Sequence, residues 1–222
     1  MANTDFLKNG AVWKDCDGET LHAHGGCILK YGKYFYWYGE DRRENYYISC
    51  YRSKDLIHWE FRNHILTMDS PMEQIRVKTQ LVLQQEDHKK VNLERPKVLY
   101  NSKTGKFVLW VHYENGKNYS EAACAIATCE EPDGDYTYHG HFNPLGYMSR
   151  DCTLYQEPDG TAYFISAARN NADMHIYRLQ DDYMNIDVLT GRLWQGEYRE
   201  APAIFQRGEK LYMLSSFCTG GD

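Results

Sequence analysis

The chain has 222 residues, a formal net charge of −6 at pH 7, 19 Tyr and 5 Trp, which is a length typical of one all-β domain. The acidic balance and the scattered Lys and Arg argue against a nucleic-acid partner, which needs a basic stripe. The longest apolar runs are too short to span a bilayer, so no membrane partner is predicted.

The N-terminal segment, MANTDFLKNG, lacks the apolar stretch of a signal peptide, so a cytoplasmic location is the expectation from this segment alone. The seven cysteines are scattered, odd in number and without a CxxC pair. This usage favours reduced, mostly buried thiols over a disulfide framework.

The first strongly patterned segment, residues 24–40, has two short apolar runs around a Gly-containing turn and predicts a β-hairpin. His24 leads this hairpin and Glu40 ends it. Residues 46–62 predict two further strands outside the hairpin, with Trp59 as a packing anchor. Together they predict one four-stranded unit.

A second unit follows a charged segment, residues 83–92, which predicts a solvated loop inserted before it. Residues 94–113 form the next hairpin pattern, and residues 122–138 predict its outer pair with EPDGD as the turn. His139 and His141 alternate on the predicted outer strand, where a solvated structural role is expected.

The third unit comprises the hairpin pattern of residues 151–168 and the outer strands of residues 174–194. A fourth hairpin pattern covers residues 200–216, and the chain ends soon after it. Each hairpin after the first opens on an acidic residue. These are Glu94, Asp151 and Glu200.

The lead residues His24, Glu94, Asp151 and Glu200 are about 70, 57 and 49 residues apart, close to the repeat of a four-stranded propeller blade with insertions. The spacing favours a β-propeller over a sandwich, formed by residues 1–222 as one domain with about three and a half blades. Such a ring is either incomplete or completed by another chain, and its unpaired strand edges favour homo-oligomerisation.

In a propeller the innermost strands run beside the axis, so the residues that lead them meet at one end. Several carboxylates in different environments are what glycoside hydrolysis needs, with one protonated acid and one ionised group. Desolvation and a neighbouring carboxylate both raise the pKa of the acid. The structural alternative is an ion pair between each acid and the arginine beside it, namely Arg95, Arg150 and Arg199.

Aromatic side chains near the same strand ends could offer flat faces to a sugar ring. Packing between blades is the alternative for each of them, since aromatic residues dominate β cores. They are Trp37, Tyr38, Trp110, Tyr113 and Tyr198.

Four ordered segments, AHGGCILKYGKYFYWYGE, NLERPKVLYN, SRDCTLYQEPDG and REAPAIF, resemble glycoside hydrolase family 43, whose members are five-bladed propeller glycosidases. The resemblance is greatest to the exo-β-1,3-galactanase-like branch and spans residues 13–220. Four motifs in the same order are far more specific than any one of them.

The resemblance implies an inverting mechanism in which Glu200 is the general acid and Asp151 orients it and tunes its pKa. It matches Glu94 and Glu40 to positions that hold sugar hydroxyls, and the segment around His24 to the lining of the sugar pocket. Most of the family has an aspartate base where this chain has His24. The galactanase-like branch shares this departure, and its water-activating group is attributed to an amide of the last blade or to another acid in the pocket.

The implied substrate is an oligosaccharide or polysaccharide with terminal β-1,3-linked galactose, as in arabinogalactan. An arabinofuranosidase, galactofuranosidase or β-xylosidase of the same family is the enzymatic alternative, and an inactive carbohydrate-binding fragment is the alternative of another class. The last eight residues resemble the family's SS-x-x-TGW segment, after which roughly 60 to 90 further residues are expected. No cofactor is predicted, and His22 with His24 alone does not make a metal site.

Overall fold

The computed structural model describes Phe6 and residues 8–218 of the chain. This part folds into fourteen strands arranged as three four-stranded antiparallel sheets and one two-stranded sheet. Only a 3-10 turn, Pro144–Gly146, interrupts the β structure. Among the described residues no helix is long and apolar enough to cross a membrane.

Each complete sheet is a blade whose strands pair in sequence order. Blade one contains β1 (His24–Tyr31), β2 (Tyr34–Glu40), β3 (Tyr46–Ser53) and β4 (Glu60–Thr67). Blade two contains β5 (Asn92–Asn101), β6 (Lys106–Glu114), β7 (Ala123–Cys129) and β8 (Thr137–Phe142). Blade three contains β9 (Cys152–Gln156), β10 (Ala162–Ala168), β11 (Asp173–Leu179) and β12 (Ile186–Leu193). The fourth sheet contains β13 (Arg199–Arg207) and β14 (Lys210–Phe217).

The first strand of each sheet is the innermost one. β1 contacts β5, β5 contacts β9, and β9 contacts β13, so these four strands follow one another around a common axis. The predicted all-β propeller with about three and a half blades is confirmed. The four hairpin patterns correspond to β1–β2, β5–β6, β9–β10 and β13–β14.

Large apolar side chains fill the spaces between successive blades. Tyr38 and Leu109 lie in the cluster between blades one and two, and Trp110 and Phe164 lie in the cluster between blades two and three, with their rings 4.6 Å apart. Burial of one such side chain stabilises the fold by about 1.5–3 kcal/mol. The alternating inward positions of the strands therefore hold the blades in a fixed relation.

Two details of blade two differ from the sequence-based expectation. The outer strand β8 runs to Phe142, and it buries His139 and His141 instead of exposing them to solvent. The inserted segment, residues 83–92, is anchored because Leu83 and Val91 at its ends are buried in the core, while the charged residues between them are mostly exposed. Burial of these residues depends on hydrophobic contacts with neighbouring strands. The number of charged residues in the segment does not predict those contacts.

The cysteines are all unpaired, as expected, but only three of the seven are buried. Those three, Cys50, Cys124 and Cys152, lie in strands, and burial raises the pKa of each thiol. Cys16 is exposed.

Candidate active site

Three of the four innermost strands contain a β-bulge directly after their lead residue. The pairing register shifts between His24 and Cys27, between Glu94 and Lys97, and between Glu200 and Ala203. The residue after each lead has a positive φ, which is 59° at Gly25, 57° at Arg95 and 50° at Ala201. A bulge bends its strand and redirects the side chain beside it. Asp151 differs because it stands just before β9.

Two glycines in the AHGG motif allow blade one to close around this bulge. A Cβ on Gly26 would lie 1.8 Å from the carbonyl oxygen of Tyr38, so only glycine fits between β1 and β2. A Cβ on Gly25 would lie 2.7 Å from Oε1 of Glu40. The bulge therefore brings backbone against a carboxylate that any larger side chain would displace.

A chain of polar contacts links the three blades and the fourth sheet near the lead positions of their innermost strands. The backbone N–H of Arg95 donates to Oε1 of Glu40 over 3.0 Å. The Arg95 guanidinium lies 3.2 Å from Oδ2 of Asp151, and the same oxygen accepts a 2.9 Å hydrogen bond from the N–H of Ala201. Since Ala201 follows Glu200, Asp151 is fixed against the bulge that presents Glu200.

None of the three arginines pairs with the acid next to it in the sequence. Within residues 8–218, no ion pair joins Glu94, Asp151 or Glu200 to the arginine next to it in sequence. Arg95 pairs across the blade boundary with Asp151, which the sequence does not reveal. The other two bind elsewhere: Arg150 donates to the carbonyl of Tyr119, and Arg199 donates to Ser215.

Glu40 is buried and both its oxygens are engaged. Nη2 of Arg42 donates to Oε2 over 2.9 Å, while Oε1 accepts the backbone N–H of Arg95. Nδ1 of His24 is 3.4 Å from Oε2, and the His24 side chain is 65% exposed. His24 and Glu40 are thus brought together at the end of the β1–β2 pair, with the histidine facing solvent.

Glu94 has partners that the sequence did not identify. The Tyr119 hydroxyl donates to its Oε1 over 2.7 Å, and Nδ1 of His112 lies 3.6 Å from its Oε2. Burial and the neighbouring Glu94 carboxylate raise the pKa of Tyr119 to about 12, which keeps the phenol a donor. The spacing of His112 and Glu114 in β6 could have indicated a polar pair near Glu94, because residues two apart share one face of a strand.

The Lys97 side chain connects the bulges of β1 and β5. Its buried ammonium donates to the carbonyl oxygens of Gly25, Arg95 and Pro96 over 2.9, 3.1 and 3.3 Å. Desolvation lowers the pKa of Lys97. The bulges of β1 and β5 are therefore held at a fixed separation by a cation that belongs to the chain.

Cavities open around this end of the fold. We call the cavity of about 260 Å³ between blades one and two the inter-blade cleft; it is lined in part by Glu40, Arg42, Lys90, Glu94 and Tyr119. We call the cavity of about 640 Å³ between blade one and β13 the axial cleft; it is lined in part by Trp37, Gly25, Arg95, Lys97 and Ala201. The carboxylates of Glu40 and Glu94 line the inter-blade cleft, whereas the described residues that line the axial cleft include no carboxylate.

The aromatic candidates separate into two groups. Tyr38 and Tyr113 cannot act as sugar platforms, because both rings are buried in the core and Tyr113 stacks on His141 with ring centroids 3.6 Å apart. The Tyr38 hydroxyl donates to the carbonyl of Pro132. These two predictions are wrong because the side chains point between blades. Trp110 is buried in the same way.

Two aromatic candidates reach open space. Trp37 is half-buried and lines the axial cleft. Tyr198 is exposed just before β13, where its carbonyl accepts the N–H of Cys218 and its φ is 51°. In the described part of the chain, no group of three or more His, Cys, Asp and Glu side chains is arranged to hold a metal ion.

Comparison with solved structures places this fold in a known class. An exo-β-1,3-galactanase from Clostridium thermocellum is 43% identical with a TM-score of 0.86, and the match covers 96% of this chain and 46% of that protein. An exo-β-1,3-galactanase from Phanerochaete chrysosporium, solved with galactose, is 35% identical with a TM-score of 0.80 and coverages of 96% and 47%. A family 43 β-1,3-galactosidase, BT0265, is 37% identical with a TM-score of 0.80 and coverages of 95% and 43%.

The class that these similarities indicate is that of the five-bladed propeller glycosidases. The model of glycosyl hydrolases family 43 matches residues 24–221, and the chain belongs to this family. It spans less than half the length of the three structures described above. No curated protein sequence matches the chain significantly.

Proposed function

We propose that this chain acts as an inverting, exo-acting glycoside hydrolase that removes terminal β-1,3-linked galactose from galactan. The observation that carries the proposal is the coupling of Asp151 to the Glu200 bulge through the N–H of Ala201. It supports separate tasks for the two carboxylates, as hydrolysis by paired acids requires. The similarity to two exo-β-1,3-galactanases supports the choice of galactose.

Glu200 donates a proton to the glycosidic oxygen as the bond to the leaving sugar breaks. Asp151, held by Arg95 and by the backbone of Ala201, orients that acid. A water attacks the anomeric carbon from the opposite face, so the product has inverted configuration. Glu40 and Glu94 accept hydrogen bonds from sugar hydroxyls in the inter-blade cleft.

The water must give up a proton, and His24 stands where an aspartate base would be expected. Glu40 is a poor base because its side chain is only 3% exposed and is ion-paired with Arg42 over 2.9 Å. The Glu94 side chain is 18% exposed in the inter-blade cleft, and each of its oxygens has a second lone pair that can accept the proton. We assign the proton to Glu94.

The test is galactose release from β-1,3-galactobiose, with the anomer of the first-formed product identified by NMR. Glu200→Gln should lower kcat by roughly 10² to 10⁴, because a neutral amide cannot supply the proton. Glu209→Gln, in the exposed β13–β14 turn, is the matched control and should leave kcat unchanged. A β-anomeric product would contradict the inverting mechanism.

Two alternative functions predict different results in the same assays. Hydrolysis of aryl arabinofuranosides, galactofuranosides or xylosides without galactose release from β-1,3-galactobiose would assign the chain to another specificity of the family. Galactose binding in calorimetry without turnover at any pH would assign it a carbohydrate-binding role. The second alternative is motivated by His24, which stands where most of the family has an aspartate base.

A further inference from the structure

Behind Glu94, two side chains of β6 form a buried polar layer. His112 lies directly opposite Glu94 in the β5–β6 register, and Glu114 follows on the same face of the strand. His112 is 2% exposed and Glu114 is 0% exposed. A fully buried carboxylate is rare unless it is paired, so Glu114 needs a partner that stabilises its charge.

The contacts form a line from the interior to the cleft. Oε1 of Glu114 is 2.9 Å from Nε2 of His112, and Oε2 of Glu114 accepts a 3.0 Å hydrogen bond from the N–H of Ala122. On the other side of the ring, Nδ1 is buried, has no hydrogen-bond partner and lies 3.6 Å from Oε2 of Glu94. The imidazole therefore stands between two carboxylates.

The two carboxylates restrict which nitrogens of His112 can carry a proton. An ionised Glu114 can only accept hydrogen bonds, so Nε2 of His112 donates to it. An Nδ1 lone pair facing an ionised Glu94 would be repulsive and would leave a buried polar atom unsatisfied. A proton on Nδ1 removes both penalties and balances the buried negative charge of Glu114.

We propose that His112 is a positioning residue whose Nδ1 proton keeps the Glu94 carboxylate ionised and oriented toward the inter-blade cleft, with Glu114 stabilising the charged imidazole from behind. The 3.6 Å separation shortens when substrate fills the cleft, as catalytic hydrogen bonds often do. This inference rests on the proposed function, because it assigns the residues that control a carboxylate of that site.

The other groups around Glu94 and His112 are compatible with a proton on Nδ1 of His112. The Tyr119 hydroxyl donates to the opposite oxygen of Glu94, and Arg42 lines the same cleft. On the interior side, burial raises the pKa of the thiols of Cys124 and Cys152, to about 12 for the latter, so both are neutral. His112 is then the cation nearest to Oε2 of Glu94 among the described residues.

Two substitutions separate the two ring nitrogens. His112→Asn places an amide N–H near the position of Nδ1 and loses the contact with Glu114. His112→Gln keeps a group near Nε2 but leaves nothing opposite Glu94. We expect H112Q to lower kcat/KM on the order of 100-fold through misplacement of Glu94, and H112N to retain about tenfold more activity, since it still donates to that charged group.

The pH profile distinguishes positioning from a structural role. In both variants, and in Glu114→Gln, the acidic limb of kcat/KM moves to higher pH, because the carboxylate of Glu94 loses the cation that favours its ionised form. The matched control, His141→Asn, removes a buried histidine of β8 in the same blade and should move neither the limb nor kcat/KM. Equal activity losses in H112N, H112Q and H141N without a shifted limb would overturn the proposal.

A measurement without turnover keeps the proposal testable if the chain releases no galactose. Nitrogen-15 NMR of His112 at pH 7 should show protons on both ring nitrogens, and Glu94→Gln should remove the proton from Nδ1, since the amide can donate to the ring instead. An unprotonated Nδ1 in the unmodified chain overturns the proposal. Absent turnover with a doubly protonated ring would reject the proposed function alone.

Discussion

At the scale of single residues, burial of neutral histidines sets how this protein responds to acid. His139, His141 and His175 are all buried in outer or middle strands, and burial lowers the pKa of each. For His141 the pKa falls to about 4. The unfolded chain binds protons at these positions between the ordinary histidine pKa and the lowered one, whereas the folded chain does not. Stability therefore falls as the pH drops through this window.

His141 gives the first prediction. Between pH 7 and pH 5 it should cost the native protein about 2 kcal/mol of stability, from the difference between an unfolded pKa near 6.5 and a folded pKa near 4. His141→Asn should be less stable than the unmodified chain at pH 7 but should lose about 2 kcal/mol less on going to pH 5. Urea denaturation at both pH values measures this difference. An unchanged difference between the two proteins at pH 7 and pH 5 would reject the assignment.

A second prediction concerns Gly26, where the space is closed by backbone. Gly26→Ala should destabilise the fold by about 3 kcal/mol or more, because a Cβ there meets the Tyr38 carbonyl at 1.8 Å and β1 and β2 cannot stay paired. The control is Gly191→Ala in β12, where the nearest atom is 3.6 Å away and the added methyl makes ordinary contact. Thermal unfolding of both variants gives the comparison. Similar melting temperatures would contradict the close approach in blade one.

At the scale of elements, the bulge determines which way a lead residue presents its functional group. The alternating apolar pattern predicts the hairpins, but the bulges of β1, β5 and β13 are not visible in that pattern. Their non-glycine residues with positive φ, Arg95 and Ala201, carry backbone strain of about 1–2 kcal/mol each. Packing of the blades and the contact network around Lys97 stabilise this arrangement.

Two glycines of blade one test whether the bulge serves the site. Gly25 and Gly32 both have positive φ, 59° and 57°, but a Cβ on Gly25 would lie 2.7 Å from Oε1 of Glu40, whereas a Cβ on Gly32 would meet nothing within 4 Å. Gly25→Ala should lower kcat/KM on the order of 100-fold by displacing Glu40. Gly32→Ala should cost about 1 kcal/mol of stability with kcat/KM unchanged. Assays at matched folded fractions compare the two, and equal activities would show that the bulge is only structural.

At the scale of the whole molecule, no described residue covers one face of the fourth sheet. Phe205 and Tyr212 stack on each other there with ring centroids 5.3 Å apart, and Leu214 beside them is 61% exposed. Exposed apolar patches next to an unpaired strand edge favour association. We propose that this face mediates homo-oligomerisation of the chain.

Sedimentation velocity tests that proposal. The average mass should rise with protein concentration, and Leu214→Lys should suppress the rise by placing a charge in the apolar face. Val77→Lys is the control, because Val77 is 96% exposed on the loop between β4 and β5, outside the fourth sheet. A concentration-independent monomer, or equal effects of the two substitutions, would contradict the proposal.

The sequence by itself determined the all-β class, the repeat of hairpins and outer strands, and the acidic residues that lead the inner strands. Apolar alternation and turn glycines are local features with a short period, so they can be read without the fold. They also indicated Glu94, Asp151 and Glu200 as candidate acids, whereas Glu40 became a candidate through the resemblance to the family. They could not separate Tyr38 and Tyr113 from surface aromatics, because the side of a strand that faces another blade depends on packing.

Only the tertiary structure decided how the acids are held. Arg95 pairs with Asp151 across a blade boundary and His112 stands behind Glu94, and both contacts join residues of different strands or blades. The fold also buried the histidines of β8 and left Tyr198 exposed. Local sequence fixes which residues can alternate along a strand, whereas distances between strands arise only when blades pack. The chemistry of this site depends on those distances.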